Sequence, residues 1–227
     1  THGPYEPPGE YATLYTDSTL SSRNAQSMYR RAIRKPKSIT DDEQQLLIDL
    51  YDAEIRYNDE KIGELLTQLR SQKLLDSSLL VFTADHGDAF GEHGYYEHPR
   101  YLHDEITHVP LLVRPPGGAS ETEVSAPVST LDIAATIEKI IGQELLSDQV
   151  SLLESIPDER IVFSQAQGED NDSNLRRYVA RSEDASCYCE RDQKTGSVEF
   201  GDCSSQSLRS ELNAHIEDRI RQENGEG

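Results

Sequence analysis

Residues 79–113, LLVFTADHGDAFGEHGYYEHPRYLHDEITHVPLLV, most constrain what this chain can fold into. Two short apolar runs, Leu79–Phe82 and Val109–Val113, bracket a segment crowded with histidine and carboxylate. Apolar runs of this length read as buried strands. The polar segment then begins where a strand runs out, which is where open α/β sheets carry their sites. Five of the seven histidines fall between His86 and His108, beside Asp88, Glu92, Glu97, Asp104 and Glu105. Asp85 and His86 follow the first run directly, and Gly87 lets the backbone turn away. A carboxylate and an imidazole at one strand end can give an oxygen and a nitrogen to one divalent cation. The alternative is an Asp that caps a turn and a His that packs. So many titratable groups in one loop favour the functional reading.

The flanking sequence reads as α/β. Residues 1–9, THGPYEPPG, form a rigid extended loop, because Pro4, Pro7 and Pro8 fix φ and remove donors. His2 sits in that loop, either as an exposed histidine or as a site residue on a stiff backbone. A short helix is expected over Asn24–Ile33, ending before Pro36. Its neighbours Arg30, Arg31, Arg34, Lys35 and Lys37 are the one concentrated basic stretch. Thr40-Asp41-Asp42-Glu43 fits a capping box and opens a long core-facing helix to about Gln72. A further helix starts at Ser129 or Thr130 and ends at Gly142. Ile161–Ser164, Arg177–Arg181, Ser186–Glu190 and Ser197–Phe200 read as short strands, the last two joined by a turn at Gln193–Gly196. Ser207–Arg221 closes the chain as a helix. The texture changes near Gln165, so we divide the chain into an α/β body, 1–165, and a small α+β subdomain, 166–227.

Composition excludes several partners. The net charge of −20 argues against nucleic acid and against an anionic membrane surface. No apolar run approaches the length of a membrane span. The acid is spread along the chain and Lys is scarce against Arg, which suits high salt, where self-repulsion is screened. A halophile's cytoplasm is the expected setting. Cys187, Cys189 and Cys203 are an odd set. They imply no complete disulfide framework and are expected as small buried hydrophobes.

TADHGDAFGEHG followed by LHDEITHVPLLV resembles the second signature region of the sulfatases, in the alkaline-phosphatase superfamily. HGPYEPP, LYDAEIRYNDEKIGELL and STLDIAATIEKIIG resemble further family stretches, in the family's order, over roughly residues 1–165. The resemblance implies part of an alkaline-phosphatase-like sheet flanked by helices, and a sulfuric ester hydrolase. It implies Asp85 and His86 as metal ligands, with Ca2+ the usual ion and Mn2+, Mg2+ or Zn2+ in relatives. It implies His2 as the residue that binds the ester and helps the leaving group depart. Many members carry a Lys on the sulfate where this chain has Pro99, and His98 is assigned as its substitute. The substrate is then a sulfate ester, on a small molecule or a polysaccharide. His103 and His108 stand where Tyr and Arg are common and are read as supporting changes.

The family's Cys/Ser-x-Pro-x-Arg motif, the source of formylglycine, is absent from these residues. Residue 1 is Thr, so the chain is read as a piece whose upstream part supplies the nucleophile. Alone it is expected to bind metal weakly and to turn nothing over. Two other readings remain: a phosphoester or phosphodiester hydrolase of the same superfamily, and a non-catalytic module that keeps the fold.

Overall fold

The computed structural model describes residues 2–17, 22–118, 123–143 and 149–225. The chain divides into two compact units. One is Thr1–Pro99 with His108–Pro110 and Pro116–Gly118; the other is Arg100–Thr107 with Leu111–Pro115 and Ala119–Gly227.

In the first unit, helix α1 (Ser22–Arg34) and helix α2 (Asp41–Ser71) carry the core. The capping box at Thr40 forms: its hydroxyl accepts from the Glu43 N–H, and the Glu43 carboxylate takes the Thr40 N–H. Tyr5, Met28, Tyr29, Ala32, Leu47, Leu50, Phe90 and Tyr96 pack into one cluster. Burying a Leu such as Leu47 removes apolar surface from water for about 1.5–3 kcal/mol. The long helix is core-facing only in its first half. Leu47, Leu50 and Ala53 are buried, but Ile55 is 44% and Leu65 52% exposed. The cluster ends near Ala53, so the expected stripe runs on past the core that it serves.

Strand β1 (Leu80–Thr83) follows. It is half-buried and then exposed along its length, not buried throughout as its apolar run suggests, and Phe82 is an exposed side chain. Beyond it, β2 (Ala89–Phe90) and β3 (Tyr96–Glu97) pair antiparallel as a short hairpin, with Ala89 opposite Glu97 and Phe90 opposite Tyr96. The turn between them rests on Gly91 and Gly94. Both adopt positive φ, and the Gly94 N–H donates to the Gly91 carbonyl at 2.9 Å.

The second unit opens with one helical turn, α3 (Asp104–Thr107), and strand β4 (Leu111–Arg114). Helix α4 (Leu131–Ile141) ends at Gly142, whose φ of 72° is the left-handed cap expected there. Asp132, fully buried, holds this region together. It accepts both guanidinium nitrogens of Arg160 at 2.7 Å and the N–H groups of Ser129 and Val150. Strands β5 (Val162–Gln167), β6 (Leu175–Arg181), β7 (Ser186–Asp192) and β8 (Val198–Cys203) form an antiparallel meander in sequence order. Helix α5 (Gln206–Glu223), capped by the Ser205 hydroxyl, packs on it through Leu208, Leu212 and Ile216. Strand β5 runs through the division drawn at 165/166.

Cys187 and Cys203 form a disulfide, which corrects their expected role as buried thiols. A register shift between Cys187 and Cys189 sets Cys187 opposite Cys203 and Cys189 opposite Phe200. Strict alternation would not reveal that shift. Cys189 is the buried small residue expected, and burial pushes its thiol up to about 12. No helix among the described residues is long and apolar enough to cross a membrane.

Candidate functional site

The hairpin register builds the site. Ala89 faces Glu97, so the residues one step outward, Asp88 and His98, meet across the hairpin's open end. His98 Nδ1 lies 2.9 Å from Asp88 Oδ1. The carboxylate's other oxygen accepts the Tyr5 hydroxyl at 2.7 Å. Tyr5 is 3% exposed, and burial followed by the Asp88 charge raises its pKa, so the hydroxyl stays a donor. A buried Tyr–Asp pair therefore fixes the His98 ring from behind. Glu97, just before it, has a φ of 70°, and its carboxylate accepts the Tyr29 hydroxyl at 3.2 Å. A left-handed φ at a non-glycine residue costs of the order of 1 kcal/mol and persists where the surroundings impose it.

His86 follows β1, with Nδ1 2.8 Å from the Gly87 carbonyl oxygen. Its ring stacks on that of His98, with centroids 3.9 Å apart. His2 is exposed, yet its ring lies edge-on to His98 at 4.9 Å and to His86 at 6.2 Å. Its loop is pinned just beyond it. Tyr5 is anchored in the core, and the Glu6 N–H donates to Glu54 at 2.6 Å. A Cβ added at Gly3 would fall 2.0 Å from the Tyr29 ring, so only glycine lets the backbone pass there. Residues 2, 86 and 98 thus bring three imidazoles together, one ring nitrogen of each within 4.8 Å of the others.

The Asp85 side chain is 91% exposed, with one oxygen 3.8 Å from His86 Nε2. Its other oxygen accepts the His86 N–H at 3.1 Å. Its own backbone N–H, then the His86 ring, hold its carboxyl below the usual range. An oxygen and a nitrogen 3.8 Å apart lie within the span that one ion bridges at bond lengths of about 2.0–2.4 Å. The residues at 85 and 86 therefore fit a divalent cation.

The other three histidines of residues 86–108 are not among these ligand candidates. His93 is exposed beside the Tyr95 ring, His103 stacks on Tyr188 at 5.6 Å, and His108 is exposed. The sequence reading missed Asp88 and Tyr5. A signal for Asp88 was present, since the five-residue GEHGY between two aromatic positions reads as a hairpin loop. Nothing local marks Tyr5.

Residues 1–142 match the family model described as "Sulfatase". A choline-sulfatase of Rhizobium meliloti (strain 1021) is 37% identical over 95 residues, 42% of this chain and 18% of that protein. An N-acetylglucosamine-6-O-sulfatase of Bacteroides thetaiotaomicron is 32% identical over 133 residues, 58% of this chain and 23% of that protein. A phosphonate monoester hydrolase from Silicibacter pomeroyi matches in fold over 100% of this chain and 54% of its own, with a TM-score of 0.69 at 22% identity. The chain thus spans about half of that solved relative, and its matched stretches about a fifth of the two curated ones. The family model and these relatives agree: this chain belongs to the sulfatase family.

Proposed function

We propose that this chain carries one part of the machinery of a sulfuric ester hydrolase. Asp85 and His86 hold a divalent cation, and His2 and His98 face the ester. The observation that carries the reading is the convergence of His2 and His98, 4.9 Å apart between ring centroids, against His86. Sulfatases generally work with a divalent ion, and an exposed carboxylate beside an imidazole suits calcium, with manganese, magnesium and zinc as alternatives. When bound, the ion draws charge off the ester oxygens and steadies the nucleophile. In its protonated form His2 donates Nδ1–H to the Gly3 carbonyl at 2.7 Å and gives the Nε2 proton to the bridging oxygen as the ester breaks, leaving the ring neutral. His98 turns its free edge to the remaining oxygens while Asp88 orients the ring from behind. No Cys/Ser-x-Pro-x-Arg motif occurs in these residues, so the nucleophile, expected as formylglycine, is proposed to lie on sequence outside them. The substrate class is a sulfate ester of a small molecule or a polysaccharide.

The test is turnover of 4-nitrophenyl sulfate against 4-nitrophenyl phosphate by the protein carrying this chain with its preceding residues. The expected result is preference for the sulfate ester, abolished by chelation. His98→Ala should lower kcat about 10²–10³-fold, the range for loss of one group that stabilises charge developing on the ester oxygens. Preference for the phosphate ester would move the assignment to phosphoryl chemistry. Turnover of the sulfate by the 227 residues alone would overturn the proposed division of the machinery.

A further inference from the structure

His2, His86 and His98 share a feature that ester binding does not require. Each Nδ1 lies within hydrogen-bond distance of an oxygen that can only accept: the Gly3 carbonyl at 2.7 Å, the Gly87 carbonyl at 2.8 Å and Asp88 Oδ1 at 2.9 Å. Such a partner requires the proton on Nδ1. Nε2 is then the nitrogen left to bind in each of the three rings. Fixing one ring nitrogen by a carbonyl or carboxylate is how proteins orient histidines as metal ligands, and a carboxylate partner also raises the ligand's basicity. His98 has such a carboxylate, itself held by Tyr5.

Three imidazoles are the wrong donors for calcium or magnesium, which take oxygen, and the right ones for the zinc class. One ring nitrogen of each already lies within 4.8 Å of the others. Tetrahedral zinc with Zn–N bonds of about 2.0–2.1 Å sets its nitrogens about 3.3 Å apart, so three rings this close are near the spacing that such an ion imposes. Asp85, with an oxygen 3.8 Å from His86 Nε2, stands next to the fourth position.

We propose that His2, His86 and His98 form a nitrogen site for a zinc-class divalent ion, and that filling it inhibits the enzyme. Binding follows from the three rings alone. Inhibition rests on the reading above, since the ion takes up both histidines assigned to the ester and draws His86 away from an oxygen-liganded ion.

The test titrates the 227-residue chain with zinc alone and with calcium alone, following the histidine ring resonances by 1H–15N NMR. One equivalent of zinc is expected to shift the signals of His2, His86 and His98 together. His2→Ala and His98→Ala should each weaken zinc binding tenfold or more. His108→Ala should leave it unchanged, and calcium should not displace the zinc. His2 is exposed on a loop, so its variant keeps the fold. Zinc that leaves these three signals in place, or binds equally well to both variants, is an adventitious ion on the acidic surface only and overturns the site. Zinc should also inhibit the complete sulfatase competitively with 4-nitrophenyl sulfate. Binding without inhibition overturns the inhibitory role, while absence of binding leaves the ester reading of His2 and His98 standing.

Discussion

Asp88 is the residue on which the site's geometry turns, and it makes no contact beyond the protein in the reading given above. Its side chain is 3% exposed, and its two oxygens serve Tyr5 and His98. Tyr5→Phe leaves one of those oxygens buried without its donor, which should cost about 1–3 kcal/mol in urea unfolding. An unchanged midpoint would show that the hydroxyl contributes nothing. Asp88→Asn keeps the shape but disturbs the His98 ring, and loss of such a partner typically costs about 10–100-fold in activity or metal affinity. At this scale the sequence was only partly legible. Asp85, His86, His98 and His2 came from their order and from resemblance to a family. Asp88 was missed because its role depends on a two-residue pairing, which only the hairpin-loop signal of GEHGY marks and no periodicity shows.

Elements were more legible, where local chemistry dictates them. The Thr40 capping box and the Gly142 cap form as the sequence indicates. What the sequence did not reveal is coverage: the apolar stripe of α2 runs on to Leu69 while its buried residues end at Ala53, and periodicity reports only that a face is apolar. The Asp132–Arg160 pair was missed for a similar reason, since its partners lie 28 residues apart. Asp132→Ala should destabilise the chain by about 3–5 kcal/mol, because it strands a guanidinium that is mostly out of water. Loss of less than about 1 kcal/mol would show that water takes over the carboxylate's role there. The packing of α5 on β5 is predicted to depend on pH. His215 stacks on Phe163 at 4.1 Å between centroids. Burial holds its pKa below the ordinary histidine value, with Arg219 adding to the effect and Asp218 opposing it. The folded state therefore favours the neutral ring. Stability from this contact is complete above the unfolded value of about 6.5 and is lost as pH falls through the lower folded value. In His215→Phe the fall in melting temperature on the acid side should flatten; an identical acid limb would refute the assignment.

At the scale of the whole molecule, the acidic surface and the disulfide pull in different directions. A net charge of −20 with scarce Lys suits high salt and led to the expected cytoplasmic setting. A Cys187–Cys203 bond belongs more naturally to an oxidising compartment, since cytosolic disulfides are rare. Alkylation followed by mass spectrometry decides the thiol states. Iodoacetamide at pH 8 should label none of the three cysteines in the folded chain, because the Cys189 thiol is buried and pushed up to about 12. It should label Cys189 alone after unfolding, and all three after reduction. Labelling of Cys187 or Cys203 in the unreduced chain, isolated from its cells, would instead favour the cytoplasm. The bridge closes a loop of the size for which the chain-entropy account gives about 3 kcal/mol, so Cys187→Ser with Cys203→Ser should lose about that much. The same bridge also governs how the molecule comes apart. The turn that it spans carries Lys194 in the open, between Cys187 and Cys203. A trypsin cut after Lys194 severs the backbone but not the molecule: its two pieces migrate as one until a reductant is added.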